Sequence, residues 1–194
     1  VVDSLSTRFA GATALAALQI GSQGFVFVGG SDGGVEVMTL LPDGRLISLL
    51  TITDTATMSL DHVAALAVAQ VGARTQLFAT SATEGGITQL DVNLGQIGIT
   101  VHLAAGVQTG TNANDLLIAG TGTTAIHGGQ GDDLIVAGGQ AGGAQLYGGT
   151  GADVFILSPS TSVLTIRDYQ AGVDRLDLTS FPLLRNIGQL VISS

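Results

Sequence analysis

The sequence contains no lysine, no cysteine and no tryptophan, and only 4% of its 194 residues are aromatic. Without cysteine there can be neither a disulfide framework nor a thiolate metal site. Without lysine there can be neither a phosphate-binding P-loop nor a Schiff base. A formal net charge of −9 opposes binding to phosphate backbones, so we expect no nucleic-acid partner.

Long apolar runs and catalytic motifs are also missing. No apolar run approaches the roughly 18 residues that a membrane-spanning helix needs, so we expect no membrane span. The motif H-E-x-x-H does not occur, and the three histidines, His62, His102 and His127, are isolated. We therefore predict that the chain is not an enzyme and that these histidines are structural or surface residues.

Glycine and aspartate are abundant instead. The chain has 29 glycines, and nearly all of its 15 acidic residues are Asp. This composition is typical of turns joined by short strands. The apolar content of 45% is enough for one or two small domains with hydrophobic cores.

The N-terminal half contains an internal repeat. Residues 14–21 align with residues 65–72, and the turn 33–34 aligns with 85–86. The match continues with the segment that begins at Gly44, which corresponds to the one that begins at Gly95. Each unit is about three or four strands long, and the pattern resembles the blades of a β-propeller. Two blades cannot close a ring, so we expect either a part of a longer protein or two stacked sheets.

A shorter period begins at Gly110. The residues follow the nonapeptide G-G-x-G-x-D-x-U-x, in which U is a large apolar residue. Two copies are complete, at 128–136 and 148–156, and a third at 110–118 departs at its second and fourth positions. Two degraded copies lie between them, at 119–127 and 137–147, and these have lost the Asp.

These repeats resemble those of the RTX family of type I secreted proteins. The resemblance covers 110–156 directly and implies a right-handed parallel β-roll that binds Ca²⁺. The predicted fold is therefore all-β, with antiparallel β-sheet repeats over 1–105 and a calcium-binding β-roll with its flanking segment over 106–194. The N-terminal repeats are interpreted as a structural module without chemistry of its own.

The spacing of the Asp residues predicts where the ions would bind. In the family, successive turns fall on alternate edges of the roll, so Asp115, Asp133 and Asp153 should line one edge. Calcium needs six to eight oxygens, so we expect about two ions, one between each neighbouring pair of these turns, and none on the other edge. The predicted metal-binding residues in these repeats are Asp115, Gly128, Gly129, Gly131, Asp133, Gly148, Gly149, Gly151 and Asp153.

The segment 166–178 looks like the one that follows the roll in RTX proteins. Asp168 and Asp174 are therefore added to the predicted metal-binding residues, either to complete the last site or to bind a terminal ion. Turn formation and pairing with Arg explain these two carboxylates equally well. By the same resemblance, the region through Ser194 carries an uncleaved secretion signal.

The strands of the repeats predict a core and an outer face. The eighth residue of each repeat should fill the roll, and the seventh and ninth should point outward. In the Asp-bearing repeats the outward residues are apolar, and we expect the N-terminal half, the C-terminal tail or another subunit to cover them. The core prediction comprises Leu117, Ile126, Ile135, Leu146 and Phe155, and the apolar outer face comprises Leu116, Ile118, Leu134, Val136, Val154 and Ile156.

Two functions remain open from the sequence. The first is a calcium-stabilised structural or interaction module of a secreted or surface protein, with a protein partner or a second copy on the apolar outer face. The second is the C-terminal accessory part of a secreted hydrolase such as a serralysin-like metalloprotease. Both imply export from a bacterial cell.

Overall fold

The computed structural model describes residues 9–139, 141 and 143–184, and these divide into two compact units at Leu94 and Gly95. The predicted all-β class is confirmed, because the described residues form strands and turns and no helix. Accordingly, no helix in this part of the chain is long and apolar enough to cross a membrane. The end of the predicted secretion signal, from residue 185 onward, lies outside the described residues.

The first unit begins with a four-stranded antiparallel sheet in the order β1-β2-β3-β4. Each strand pairs with the next along the chain, so the sheet is a meander. A turn at Pro42 and Gly44 joins the last two strands. The strands are β1 (Ala14–Ile20), β2 (Gln23–Gly29), β3 (Gly34–Leu40) and β4 (Leu46–Thr53).

A second antiparallel sheet repeats the first three strands of this pattern. Its strands are β5 (Val63–Val71), β6 (Arg74–Ser81) and β7 (Ile87–Val92), in that order. The start of β5 is tied to the first sheet, since the N–H of Val63 donates to the carbonyl oxygen of Gly30 at 2.9 Å. The alternation of buried and exposed residues along β6 places Leu77 and Ala79 in the core of this unit.

The second repeat forms three strands, whereas the sequence leaves three or four open for each unit. The segment that begins at Gly95 does not add a strand beside β7. Instead, the strand β8 (Ile97–Thr109) pairs in parallel with the following strand, at Ile97 and Asn114. The division between the units therefore falls at Leu94, earlier than the predicted boundary at Ala105.

The second unit is a parallel β-solenoid of about four turns. The long strand β9 belongs to both of its faces, because its first part pairs with β10 and its second part pairs with β11. The register advances by one solenoid turn at each pairing, from Leu116 to Leu134 and then to Val154. The further strands are β9 (Asn114–Gln130), β10 (Leu134–Gly139), β11 (Gln145–Thr150), β12 (Val154–Ser160), β13 (Thr165–Ile166) and β14 (Arg175–Asp177).

The predicted core of the solenoid is confirmed. Every eighth residue of the nonapeptides is fully buried, and all five belong to one apolar cluster with Ala137 and Ala144. Residues that are separated by one solenoid turn stack on each other, because the strands are parallel and in register. The buried set is Leu117, Ile126, Ile135, Leu146 and Phe155.

The residues of the apolar outer face are also mostly shielded from solvent. Leu116, Leu134, Val154 and Ile156 are at most 7% exposed, while Ile118 and Val136 are half-buried. The outward residues of the other face are more polar and include the stacked rings of His127 and Tyr147. The two faces of the solenoid therefore differ in polarity, as the sequence of the repeats indicates.

Candidate metal centre

Four turns lie on one edge of the solenoid, which we call the Asp edge. Each leads into a strand of the same face, and each ends in an aspartate. The three predicted carboxylates therefore share one edge, and Asp174 adds a fourth. The first to fourth Asp-edge turns are residues 110–115, 128–133, 148–153 and 168–174.

The aspartates form a ladder of hydrogen bonds along this edge. The backbone N–H of Asp115 donates to Oδ1 of Asp133 at 2.8 Å, and the N–H of Asp133 donates to Oδ1 of Asp153 at 2.9 Å. The N–H of Asp153 donates in turn to Oδ1 of Asp174 at 3.1 Å. Each carboxylate thus binds the turn before it through one oxygen, which fixes where the other oxygen lies.

In the two middle turns this other oxygen has no hydrogen-bond donor. Oδ2 of Asp133 and Oδ2 of Asp153 are buried and unpartnered, and the two residues are 0% and 1% exposed. A buried carboxylate oxygen without a partner is costly unless a cation or a proton neutralises it. A cation at this edge would therefore be stabilised most strongly beside these two atoms.

The electrostatics of the two carboxylates agree with this interpretation. Burial, opposed by the hydrogen bond from the Asp115 backbone and assisted by the charges of Asp153 and Asp115, raises the pKa of Asp133 to about 8. Burial likewise raises the pKa of Asp153 to about 6, with added repulsion from Asp174 and Asp168. Without a cation, the site thus disfavours the ionised form of both groups.

Glycine at the start of each turn leaves room for oxygens to converge. A Cβ atom on Gly128 would lie 2.2 Å from Oδ2 of Asp133 and 2.3 Å from the carbonyl oxygen of Gly148. These two oxygens are therefore at most 4.5 Å apart, the sum of the two distances. A single cation at the calcium–oxygen distance of roughly 2.3–2.6 Å can bind both.

The other predicted glycines shape the same turns. Gly129, Gly131, Gly149 and Gly151 all have positive φ, between 100° and 133°, which disfavours any residue with a Cβ. Gly128 and Gly148 lack a positive φ. Glycine is required at these positions because a Cβ atom would collide with nearby oxygens. The nonapeptide thus needs its glycines for two different physical reasons.

Asp168 and Asp174 both accept hydrogen bonds from backbone N–H groups. The two oxygens of Asp168 accept from the N–H groups of Gly148 and Gly149 in the preceding Asp-edge turn, at 2.9 and 3.0 Å. Oδ2 of Asp174 accepts from the N–H of Gln170 in its own turn at 2.7 Å. Turn formation is thus observed for Asp174, and a role of either residue as a metal ligand stays a prediction.

Sequence reasoning missed three residues of this edge. Asn114 and Asp132 form a second ladder, in which Oδ1 of Asn114 accepts from the N–H of Asp132 and Oδ1 of Asp132 accepts from the N–H of Ala152. Thr111 donates its hydroxyl hydrogen to the carboxylate of Asp115. The signal for the ladder was present in the sequence, since Asn114 and Asp132 both occupy the fifth position of their repeats.

The opposite edge of the solenoid is built without acidic residues. Its turns span 119–124, 137–144 and 157–164, and none contains Asp or Glu. In the first of them the buried Thr123 hydroxyl closes the turn, because it accepts from the N–H of Gly120 and donates to the carbonyl oxygen of Leu103. A neutral hydroxyl satisfies these backbone groups without creating a negative site.

Side chains alone do not assemble a metal site. Within the described residues there is no group of three or more His, Cys, Asp or Glu side chains close enough to hold a metal ion. The isolated histidines agree with this, as His62 lies beside Asp61 and His127 stacks on Tyr147. A cation at the Asp edge would therefore need backbone carbonyl oxygens together with one or two carboxylates.

The fold and the edge together define an all-β chain with a parallel β-solenoid that carries a row of buried carboxylates along one edge. Comparison with known proteins found no protein-family model, no curated protein and no solved structure that matches the chain.

Proposed function

We propose that the C-terminal unit is a calcium-binding β-roll of the RTX kind. The observation that carries the proposal is the pair of buried, unpartnered oxygens, Oδ2 of Asp133 and Oδ2 of Asp153. The nonapeptide pattern supports it independently, since both aspartates occupy the sixth position of the two complete repeats. On this proposal, about two Ca²⁺ ions bind between neighbouring Asp-edge turns and supply the charge that these oxygens lack.

The chemistry of the edge favours a hard cation. The four Asp-edge turns contain no His and no Cys, so oxygen is the only ligand type that their side chains offer in quantity. Calcium accepts six to eight oxygens in flexible geometry, whereas magnesium requires a nearly ideal octahedron. An edge with few carboxylates and many carbonyls suits calcium better than magnesium.

Calcium binding should be coupled to the folding of the solenoid. Asp133 and Asp153 are separated by one solenoid turn, so their carboxylates approach each other only when the turns have stacked. Their mutual repulsion opposes this stacking, and a cation between the turns removes it. A chain of this kind stays poorly folded at low calcium and folds where calcium is abundant.

This coupling supports a role outside the cell. We propose that the chain is a calcium-stabilised structural or interaction module of a type I secreted bacterial protein, located in the medium or at the cell surface. It acts without catalysis, and its protein partner or second copy binds through the outer face of the roll. The half-buried Ile118 and Val136 are the residues of that face with the most area left for such a contact.

Isothermal titration calorimetry of the metal-free chain tests the proposal. Wild-type protein is expected to bind Ca²⁺ much more tightly than Mg²⁺. The double variant Asp133→Asn/Asp153→Asn should lose this binding, because amides supply no negative charge. The control Asp43→Asn/Asp91→Asn removes two equally charged, exposed residues of the first unit and should bind like wild type. Wild type without calcium binding would refute the proposal.

A further inference from the structure

The four Asp-edge turns close in two different ways. In the first and fourth turns, an N–H group of the same turn donates to Oδ2 of the turn's own aspartate. In the second and third turns no such bond forms, and Oδ2 has no partner. The end turns are therefore self-closed, and the middle turns are open.

Thr111 closes the first turn. Its N–H donates to Oδ2 of Asp115, and its hydroxyl lies 3.0 and 3.1 Å from the two carboxylate oxygens. Oδ1 of Asp115 also accepts from the N–H of Ile99 at 2.7 Å. Protein donors thus satisfy both oxygens of this carboxylate, although the residue is only 1% exposed.

The equivalent positions in the middle turns are Gly129 and Gly149. Both have positive φ, and the N–H of Gly149 donates to Oδ2 of Asp168 and not to Asp153. Thr111 has no positive φ, as expected for a β-branched residue, and its N–H faces the carboxylate. One substitution within the repeat therefore decides whether the aspartate is satisfied by its own turn.

The first turn otherwise resembles an open one. A Cβ atom on Gly110 would lie 2.1 Å from the carbonyl oxygen of Gly128 and 2.5 Å from Oδ2 of Asp115. The same convergence of a carboxylate and a carbonyl oxygen occurs at Gly128 in the second turn. What distinguishes the two positions is the donor that Thr111 supplies.

We propose that Thr111 and Gln170 act as built-in caps that replace the metal ion in the two end turns. Asp133 and Asp153 are then the metal-binding carboxylates, and Asp115 and Asp174 are structural. The two ions lie between the second and third turns and between the third and fourth turns. In the latter interval, the two oxygens of Asp168 accept from the N–H groups of Gly148 and Gly149, so this carboxylate is structural by the same criterion.

This inference rests on the proposed calcium binding and alters one of its details. The sequence predicts an ion between the turns of Asp115 and Asp133, whereas the pattern of closed and open turns moves both ions one turn toward the C terminus. A short array with self-closed ends needs no metal to satisfy its outermost carboxylates. It can therefore stop after two ions without leaving an unpaired charge.

Counting bound ions by native mass spectrometry, together with calorimetric affinities, tests the inference. Wild type should bind two Ca²⁺ ions. Asp115→Asn should still bind two with affinities within about threefold of wild type, while Asp133→Asn and Asp153→Asn should each lose at least one. Thr111→Gly introduces the residue that the middle turns have at this position, and it should raise the number of bound ions to three. Thr111→Ser keeps the hydroxyl and should leave the number of bound ions at two.

The outcomes separate the two proposals. If wild type binds no calcium, the proposed function is wrong. If wild type binds two ions but Asp115→Asn loses one, the proposed function stands and the capping role is wrong. If Asp115→Asn does not fold, as judged by circular dichroism, Thr111→Gly decides alone, because a count that stays at two contradicts the role of Thr111.

Discussion

The backbone N–H of Asp133 donates a hydrogen bond of 2.9 Å to Oδ1 of Asp153, which lies 20 residues further along the chain. One solenoid turn separates the two residues, so this bond joins neighbouring turns through a side chain. It engages one oxygen of Asp153 and leaves the other buried without a donor. The same carboxylate therefore stabilises the stack through one oxygen and offers the other oxygen to a cation.

Alanine at Gly128 tests how tightly the oxygens converge. The added Cβ would lie 2.2 Å from Oδ2 of Asp133 and 2.3 Å from a backbone oxygen that cannot move alone. Gly128→Ala should lower the free energy of unfolding by about 1–3 kcal/mol and weaken calcium binding, as measured by denaturant titration and calorimetry. Gly85→Ala meets nothing within 4 Å and should be neutral. Equal effects of the two substitutions would contradict the convergence of the two oxygens at Gly128.

Truncation of a core side chain tests the stacking of the strands. Ile135 is fully buried in the apolar cluster of the solenoid. Ile135→Ala should cost about 2–5 kcal/mol of unfolding free energy, because it removes buried contacts and leaves a cavity. Thr150→Ala, at an exposed position of the same unit, should cost less than about 0.5 kcal/mol. A small effect of Ile135→Ala would mean that this strand is not packed as described.

The raised pKa values predict how the metal-free protein responds to pH. Since the folded-state pKa values of Asp133 and Asp153, about 8 and about 6, exceed their ordinary value of 3.8, the protonated forms favour the folded state. This stabilisation is complete below about pH 4 and is lost as the pH rises through both values. The Tm of metal-stripped protein should fall between pH 5 and 9 by at least about 4–8 °C, the shift for 1 kcal/mol in a domain of roughly 100 residues.

The neutral variant supplies the control for this titration. Asp133→Asn/Asp153→Asn cannot ionise at these positions and should show a much flatter profile over the same pH range. The decisive comparison is scanning calorimetry of both proteins after metal removal on a chelating resin. A wild-type Tm that is constant or rises from pH 5 to 9 would show that the buried carboxylates do not control stability in this way.

A charge on the outer face tests whether that face is covered. Leu134 is 5% exposed, so Leu134→Asp would bury a carboxylate and lose the roughly 1.5–3 kcal/mol that the apolar side chain contributes. We expect a clear loss of stability by denaturant titration and, if a second copy covers this face, a change of mass in light scattering. Val163→Asp, at a side chain that is 80% exposed, should change neither. Unaltered stability and assembly of Leu134→Asp would refute the covered face.

Much of the solenoid could be predicted because each repeat determines which of its own side chains is buried. The nonapeptide places a large apolar residue at its eighth position, and parallel stacking buries that residue whatever the neighbouring turn contains. For this reason Ile126 and Leu146 were correctly assigned to the core even though their repeats have lost the Asp. The shared edge of Asp115, Asp133 and Asp153 follows from the same alternation of turns.

The rest depended on interactions that a linear pattern does not contain. The internal repeat leaves three or four strands open for each unit, and only the structure shows that β8 pairs with β9 and not with the second sheet. Likewise, the replacement of glycine by Thr111 is visible in the sequence, yet only the hydrogen bonds to Asp115 show that it closes the turn. Local sequence patterns predicted the strands and turns, but not which strands pair or which hydrogen bonds close a turn.

The most direct test of the account is thermal unfolding of the whole chain, followed by far-ultraviolet circular dichroism, in calcium and in excess chelator. Calcium at about 100 times Kd should stabilise the C-terminal unit by about 2.7 kcal/mol for each site, and magnesium should not replace it. The chelated protein should lose part of its strand signal and regain it when calcium is restored. A chain that holds no calcium and unfolds identically in both solutions would contradict the account.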